Sequence, residues 1–421
     1  MNMNIGHLFE RLEIDPKTLP VEFWQQAHDA ASKSNALAEV TPAQIRSIGE
    51  WIGFRPELVT ACFDAAQEIF ACAEAEELLR TARYLILELY SDKRINETSW
   101  PMPCPSRWRS PSMFYVVLFL SCVPHLQTLH RQRGIPEFAT RDILLDLESK
   151  IDIFIRRNGY PGLGTYRWFL EHFNNQIFHL GRLQFQFASF WSALNVFKHV
   201  SEDKLVIFAL ADQKFRSDGQ YFDADRQQAS EDSIRTTRLI DDGTWIRGTP
   251  ITARGNASSS EIRLHKNEWV SVLKQGDPVL NIHISANTSR NGPLTREACA
   301  DSFKQAFDFF PRYFPEFTFK GFMCQTWMLD VQLSDLLPAS SHIVEFQDWY
   351  HLYPFPAASD AGIIEFVFGN PFPGWDTVVP KTSLQEIAVR HVRTGHHWRV
   401  TSGLCLNEEI LRGKKYTLIS E

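Results

Sequence analysis

Through the first third of the chain, apolar residues return every third or fourth position, the spacing of one helical face. Val21 to Ser32 carries that spacing after Pro20. In T-P-A-Q-I-R-S-I-G-E-W-I-G, Thr41 stands as an N-cap with Pro42 at the first helical position, and Gly53 supplies the stop. The Ala-, Glu- and Leu-rich run from Arg55 to Tyr90 predicts one long helix or two in succession. Four prolines in W-P-M-P-C-P-S-R-W-R-S-P-S then interrupt everything. Met113 to Val123 is apolar all round and predicts a buried helix, and R-D-I-L-L-D-L-E-S-K-I-D-I-F-I-R-R an amphipathic one.

After N-G-Y-P-G-L-G the character changes. T-Y-R-W-F-L-E-H-F-N-N-Q-I-F still reads as helix, but R-L-Q-F-Q-F-A-S-F-W alternates in period two. Strands are predicted at K-L-V-I-F-A-L-A-D, E-I-R-L-H, V-L-N-I-H-I-S, K-G-F-M-C-Q-T-W-M-L, S-H-I-V-E-F-Q-D-W-Y-H-L-Y and A-G-I-I-E-F-V-F-G. A polar stretch from about Asp223 to Ser260 predicts a loop insertion, and a helix follows Leu294. The fold class is α+β: a helical domain over 1–150, then a mixed α/β domain over 151–421.

Composition narrows the function more than the fold. A net charge of −7 leaves no cationic excess to neutralise phosphates, which argues against a general nucleic-acid binder. The seven cysteines are scattered, odd in number and without C-x-x-C, so reduced thiols are expected, with neither a zinc site nor a disulfide framework. The start, M-N-M-N-I-G-H-L-F-E-R-L-E, lacks the basic and apolar regions of a signal peptide, and M-F-Y-V-V-L-F-L is too short to span a bilayer. The expectation is a cytoplasmic protein away from the membrane.

The chemistry concentrates in V-L-N-I-H-I-S-A-N-T-S-R-N-G-P-L-T-R-E-A, from Val279 to Ala298. As a strand it turns Leu280, Ile282, Ile284 and Ala286 one way and Asn281, His283 and Ser285 the other. Three polar side chains on one face of an apolar strand need partners or a cleft to line. Among them, His283 is the one that moves protons near neutral pH without special tuning. Thr295 is a good N-cap for the next helix, with Glu297 in its first turn, and Phe303, Phe307, Phe310 and Phe314 recur behind it at helical spacing, with Pro311 as its end. Its N-terminus, reached through S-R-N-G beside Arg290, is a reasonable anion site because orphan amides, dipole and one cation converge. The bland alternatives are a capped helix after an ordinary loop, and a strand face open to water.

The segments I-H-I-S-A-N-T-S-R-N-G-P-L-T-R-E-A, C-Q-T-W-M-L-D-V-Q-L, S-S-H-I-V-E-F-Q and G-H-H-W-R-V-T-S-G resemble a bacterial group of acyltransferases that joins a helical N-terminal domain to a GNAT-like C-terminal domain. The resemblance extends over most of the chain. It implies a central sheet whose fourth and fifth strands splay apart, here Val279–Ala286 and Gly321–Met328. In that gap would lie the pantetheine arm of acyl-CoA, acetyl-CoA or longer, as co-substrate, with no metal. His283 would be the general base, Asn281 and Ser285 would orient substrate or donor, and Arg290, Asn291, Gly292, Leu294 and Thr295 would offer the anion site. Cys324 and Thr326 share one face of the strand across the gap. The implied reaction is direct acyl transfer to an amine or hydroxyl of a small-molecule acceptor.

The chain departs from that pattern in two places. The usual Q/R-x-x-G-x-G/A phosphate loop is replaced by N-T-S-R-N-G-P-L-T, where Pro293 removes an amide donor. M-L-D-V-Q-L-S-D-L-L-P lacks the frequent general-acid tyrosine, with Tyr350 and Tyr353 further on. These departures keep two alternatives open: an acyl-carrier protein as donor, or a non-catalytic ligand-binding protein on the same fold. Other candidates weigh less. G-Y-P-G-L-G lies between helices and reads as a turn rather than a nucleotide loop. Cys324 has no local feature that activates a thiol. His391 and His397 lack a third ligand at diagnostic spacing. Glu345 and Glu365 are placed inside apolar strands, where a carboxylate needs a partner or an exposed edge.

Overall fold

Thr41 and Gly53 bracket a helix as their chemistry predicts. The Thr41 hydroxyl accepts from the Gln44 amide at 3.3 Å, and the Gln44 side chain accepts from the Thr41 amide at 2.8 Å. Gly53, at φ +93°, closes the helix Pro42–Ile52 in the left-handed region that glycine enters without strain. The computed structural model describes residues 4–34, 39–89, 99–106, 108–164, 166–222, 234–285, 292–356, 360–369 and 371–420. It divides into two compact units, Met1–His179 and Leu180–Glu421.

The first unit is helical. The run from Arg55 folds as two helices, Pro56–Phe70 and Ala73–Glu88, and the amphipathic segment as Glu137–Leu144 and Asp146–Asn158. Gly159, at φ +82°, caps the last of these, so G-Y-P-G-L-G is a turn leaving a helix. The central helix, Phe114–Gln132, is longer than its apolar run suggested, because Pro124 is absorbed within it. By length and composition this helix is apolar enough to cross a membrane. Two thirds of that stretch (67%) is buried within the protein, and every residue from Phe114 to Val123 is buried, which is the signature of a core helix.

The chain enters the second unit within strand β1 (Ile177–Leu180), followed by β2 (Leu183–Ser189), β3 (Leu194–His199) and β4 (Lys204–Ala209). Next come short strands β5 (Lys214–Phe215), β6 (Arg235–Thr236), β7 (Leu239–Asp241), β8 (Trp245–Gly248) and β9 (Ile262–His265); β6, β7 and β8 fall within the stretch expected to be loop, and β9 is the strand expected at E-I-R-L-H. Then come β10 (Trp269–Lys274), β11 (Pro278–Ile284), β12 (Gly321–Thr326), β13 (His351–Pro354), β14 (Thr401–Leu406) and β15 (Thr417–Leu418). The main sheet runs β1-β2-β11-β12-β14-β13, and a second sheet runs β10-β3-β4-β15.

One face of the main sheet is aromatic. The helix Arg296–Tyr313, capped by Thr295, lays Phe303 on Phe322 at 4.8 Å between ring centroids, and Phe310 and Phe314 on Phe187 at 5.2 and 4.9 Å. Pro311 sits inside the last turn rather than ending the helix. On the other face Val279, Met323, Tyr353 and Leu404 meet Leu194, Val196, Leu205 and Ile207 of the second sheet in a separate core.

Two segments predicted as strands are helical. Residues 341–353 hold a helix, His342–Gln347, capped by Ser341, and only then β13. Ala361–Ile363 continues into a π-helix, Ile364–Phe368. Glu345 and Glu365 therefore leave the sheet. Short apolar runs fit either period, and here the Ser341 cap with Ile343 and Phe346 at helical spacing decides for the helix. Gly403 in β14 lies opposite Cys324, and a Cβ there would sit 2.6 Å from Tyr350 Cβ and 3.1 Å from Leu329 Cδ1. Gly403→Ala should cost about 1–3 kcal/mol in urea unfolding; an unchanged midpoint would show that Tyr350 can give way.

Candidate functional site

Strands β11 and β12 run parallel in the middle of the main sheet, and their pairing stops early. Leu280, Asn281 and Ile282 pair with Phe322, Met323 and Cys324. Beyond that point β11 continues against β2 as far as Ile284, and β12 continues against β14 as far as Thr326. The two strands thus part company, leaving the inner edges of His283–Ile284 and Gln325–Thr326 without a ladder between them.

The polar face of β11 meets the polar face of β2. The register sets Asn281 opposite Gln186 and His283 opposite Gln184. His283 Nε2 lies 2.8 Å from Gln186 Oε1 and 3.0 Å from Asn281 Nδ2, and Asn281 Nδ2 is 3.4 Å from Gln186 Oε1. His283 is half-buried, while Asn281 and Gln184 are buried at 7% and 2% exposure. Asn281 Oδ1 and Gln184 Nε2 are buried with no hydrogen-bond partner, a costly arrangement unless something supplies one. Gln184 and Gln186 were not singled out from sequence, though Q-F-Q-F already set them on one face.

Ser285 is buried, and its carbonyl accepts from Arg182 Nη1 at 3.1 Å. Arg182 is itself buried at the end of β11, beside Cys299 in the first turn of the long helix; burial pulls its guanidinium below the usual range. The Arg182 amide donates to Ser302 Oγ at 2.7 Å. Arg290 and Asn291 lie outside the described residues. Gly292 takes φ +70° with open space where a Cβ would stand, Leu294 buries its side chain, and Thr295 Oγ1 accepts from the Ala298 amide at 3.2 Å. The helix N-terminus is thus reached through exposed Pro293, with Leu294 contributing backbone only.

Across the opening, Gln325 is exposed on the side of His283, whereas Cys324 and Thr326 share the opposite face. Cys324 is buried, and burial drives its thiol far above the ordinary range, so its side chain belongs to the core and only its backbone reaches the gap. Thr326 is half-buried and accepts from the Met328 amide at 3.3 Å. Tyr350 and Tyr353 are buried, with burial raising both phenols. Among the described residues no group of three His, Cys, Asp or Glu side chains is placed to hold a metal. His391 instead bonds Gln332 at 3.1 Å, and His397 bonds Asp360 at 3.1 Å.

A mixed sheet whose parallel central pair opens at its tip, followed by a capped helix packed on one face, is the GNAT-like architecture. The chain belongs to the family that couples an N-acyltransferase N-terminal domain, matched over residues 43–175, to a GNAT-like C-terminal domain, matched over residues 177–405. No curated protein matches it in sequence. Among solved structures it is similar to an acyltransferase mutant in complex with octanoyl-CoA, at TM-score 0.67 and 20% identity over 96% of this chain and 99% of that one. It is similar too to an acyltransferase in complex with decanoyl-CoA and teicoplanin, at TM-score 0.65 and 21% identity over the same shares, 96% and 99%. A third, in complex with CoA and 10C-teicoplanin, matches at 0.64 and 21%, again over 96% and 99%. The expected α+β fold, a helical region followed by a GNAT-like domain, is what the chain adopts.

Proposed function

We propose that the chain is an acyltransferase that moves an acyl group from acyl-CoA to an amine or hydroxyl of a small molecule by direct attack. The observation that carries this reading is the opening between β11 and β12 beside His283. A pantetheine arm laid in the opening takes the place of the missing strand ladder, and backbone amides facing the gap polarise the thioester carbonyl. The acceptor's nitrogen or oxygen attacks the carbonyl carbon while His283 removes its proton. The tetrahedral intermediate collapses by breaking the carbon–sulfur bond, and the CoA thiolate leaves and is protonated. Asn281 and Ser285 orient the reactants. The pyrophosphate rests at the N-terminus of the helix Arg296–Tyr313, on Gly292, Leu294 and Thr295 with Arg290 and Asn291. Its buried neighbour Arg182 adds positive charge at the end of β11.

Acyl-CoA complexes of similar folds make octanoyl- and decanoyl-CoA the first donors to try beside acetyl-CoA. In a thermal-shift titration a ligand bound by the folded state alone, at a hundredfold over its dissociation constant, adds about 2.7 kcal/mol. A saturable rise in Tm is expected with at least one acyl-CoA. The lone glycine and Pro293 of the loop favour a second reading, a ligand-binding protein without catalysis. No rise with any acyl-CoA would support that reading, unless an acyl-carrier protein then proves to donate.

A further inference from the structure

His283 Nε2 is approached by two side chains at once, Gln186 Oε1 at 2.8 Å and the Asn281 amide at 3.0 Å. One ring nitrogen cannot donate to Gln186 and accept from Asn281 together. The shorter contact sets a protonated nitrogen against an amide oxygen, which is attractive; a bare nitrogen there would set two lone pairs against each other. Nε2 therefore carries the proton. The Asn281 amide then donates to the same oxygen, Gln186 Oε1, at 3.4 Å rather than to the ring, so Gln186 accepts from both.

We propose that Gln186 is a positioning residue that fixes His283 in the tautomer with Nε2–H and the basic lone pair on Nδ1, with Asn281 holding the Gln186 carboxamide in place. The inference rests on the reading of His283 as the base. A base must hold its lone pair in one direction, and a histidine's second hydrogen bond is what decides which nitrogen carries it. Gln186 is suited to this because a carboxamide oxygen accepts without a charge, so it orients the ring without holding it as an imidazolium, which is useless as a base. β2 and β11 pair continuously from Pro278/Ser189 to Ile284/Leu183, so Gln186 and His283 are held in one rigid ladder rather than on a loop. A cluster serving stability alone would satisfy its members, yet Gln184 Nε2, also buried beside the ring's strand, is left without a partner.

The test is 15N NMR of the full chain labelled on its histidines, at about pH 8, where an ordinary imidazole is neutral. His283 is assigned by the signal lost in His283→Gln among the 14 histidines. The wild type should show one tautomer, Nε2–H, with that proton protected from exchange. Gln186→Leu, and Gln186→Met should leucine disturb the strand, should admit the second tautomer and speed exchange of the Nε2 proton. Once an acceptor is in hand, kcat should fall on the order of tenfold or more, with KM for acyl-CoA unchanged. A wild-type ring protonated on Nδ1, a doubly protonated ring, or unchanged tautomer and exchange in both variants would overturn the proposal. None of these outcomes touches acyl-CoA binding, and a failure to bind acyl-CoA leaves the tautomer result standing, so the two readings fail separately.

Discussion

His283→Gln lowers kcat by about 10²- to 10⁴-fold while leaving acyl-CoA binding in place, the loss expected when the proton acceptor of the transition state is removed. Glutamine keeps a neutral polar side chain of similar length beside Gln186 and Asn281, which His283 meets at 2.8 and 3.0 Å, and urea unfolding of the variant checks the fold. Steady-state kinetics with a competent acceptor, alongside a thermal-shift titration with the same acyl-CoA, separate the two effects. A variant with nearly full kcat would remove His283 from the chemistry and leave water or the substrate itself to take the proton. A variant that no longer binds acyl-CoA would place His283 on the donor instead.

The second large effect concerns Glu409. It is buried, with its carboxylate 2.6 Å from His351 Nε2, and it accepts from the Leu406 amide at 2.9 Å and the Tyr416 amide at 2.8 Å. One side chain thus ties β13, the end of β14 and the approach to β15. Burial pushes its carboxyl up, but His351 and the two amides outweigh burial and hold it below the ordinary range. A depressed carboxylate stabilises the fold above its unfolded pKa, about 4.3, and that contribution disappears as pH falls through the lower folded value. Glu409→Leu leaves a buried histidine and two amides without their acceptor and should cost about 3–5 kcal/mol in urea unfolding at neutral pH. Glu409→Gln, which keeps one oxygen, should lose less. The difference between wild type and Glu409→Leu should shrink below about pH 4, as the wild-type carboxylate takes up its proton. An equal difference at every pH would assign the loss to packing alone.

Much of this arrangement could be read in the sequence where two signals coincided. Thr41 with Pro42 and Gly53, and Thr295 with the phenylalanine stripe behind it, combined a cap with a period and fell where expected. The strand V-L-N-I-H-I-S declared its polar face by alternation. Period alone failed for I-I-E-F-V-F, where β-branched and aromatic residues suggested a strand and the chain forms a π-helix. Strands Leu194–His199, Trp269–Lys274 and Thr401–Leu406 were not recognised, nor were several short ones, and Ile177–Leu180 was read as the end of a helix that stops at Phe173. Gln186 shows the deeper limit. Its face was legible, but its partnership with His283 depends on which strand pairs with β11 and in what register, and a shift by one residue would have turned it to the aromatic side.

The opening in the sheet also divides responsibility for the site. His283 hangs on β2 through an unbroken antiparallel ladder, while the far lip, Gln325 and Thr326, hangs on β14. The two lips share only the short parallel ladder below them, from Leu280/Phe322 to Ile282/Cys324. On the proposed function, substitutions at Gln325, exposed on its lip, should change what the cleft accepts while leaving the imidazole in place, and changes around Gln186 should retune the imidazole while leaving the far wall in place. If the proposed roles hold, a protein assembled this way offers evolution, or an engineer, two separately adjustable controls: one for the molecule admitted, another for the proton removed.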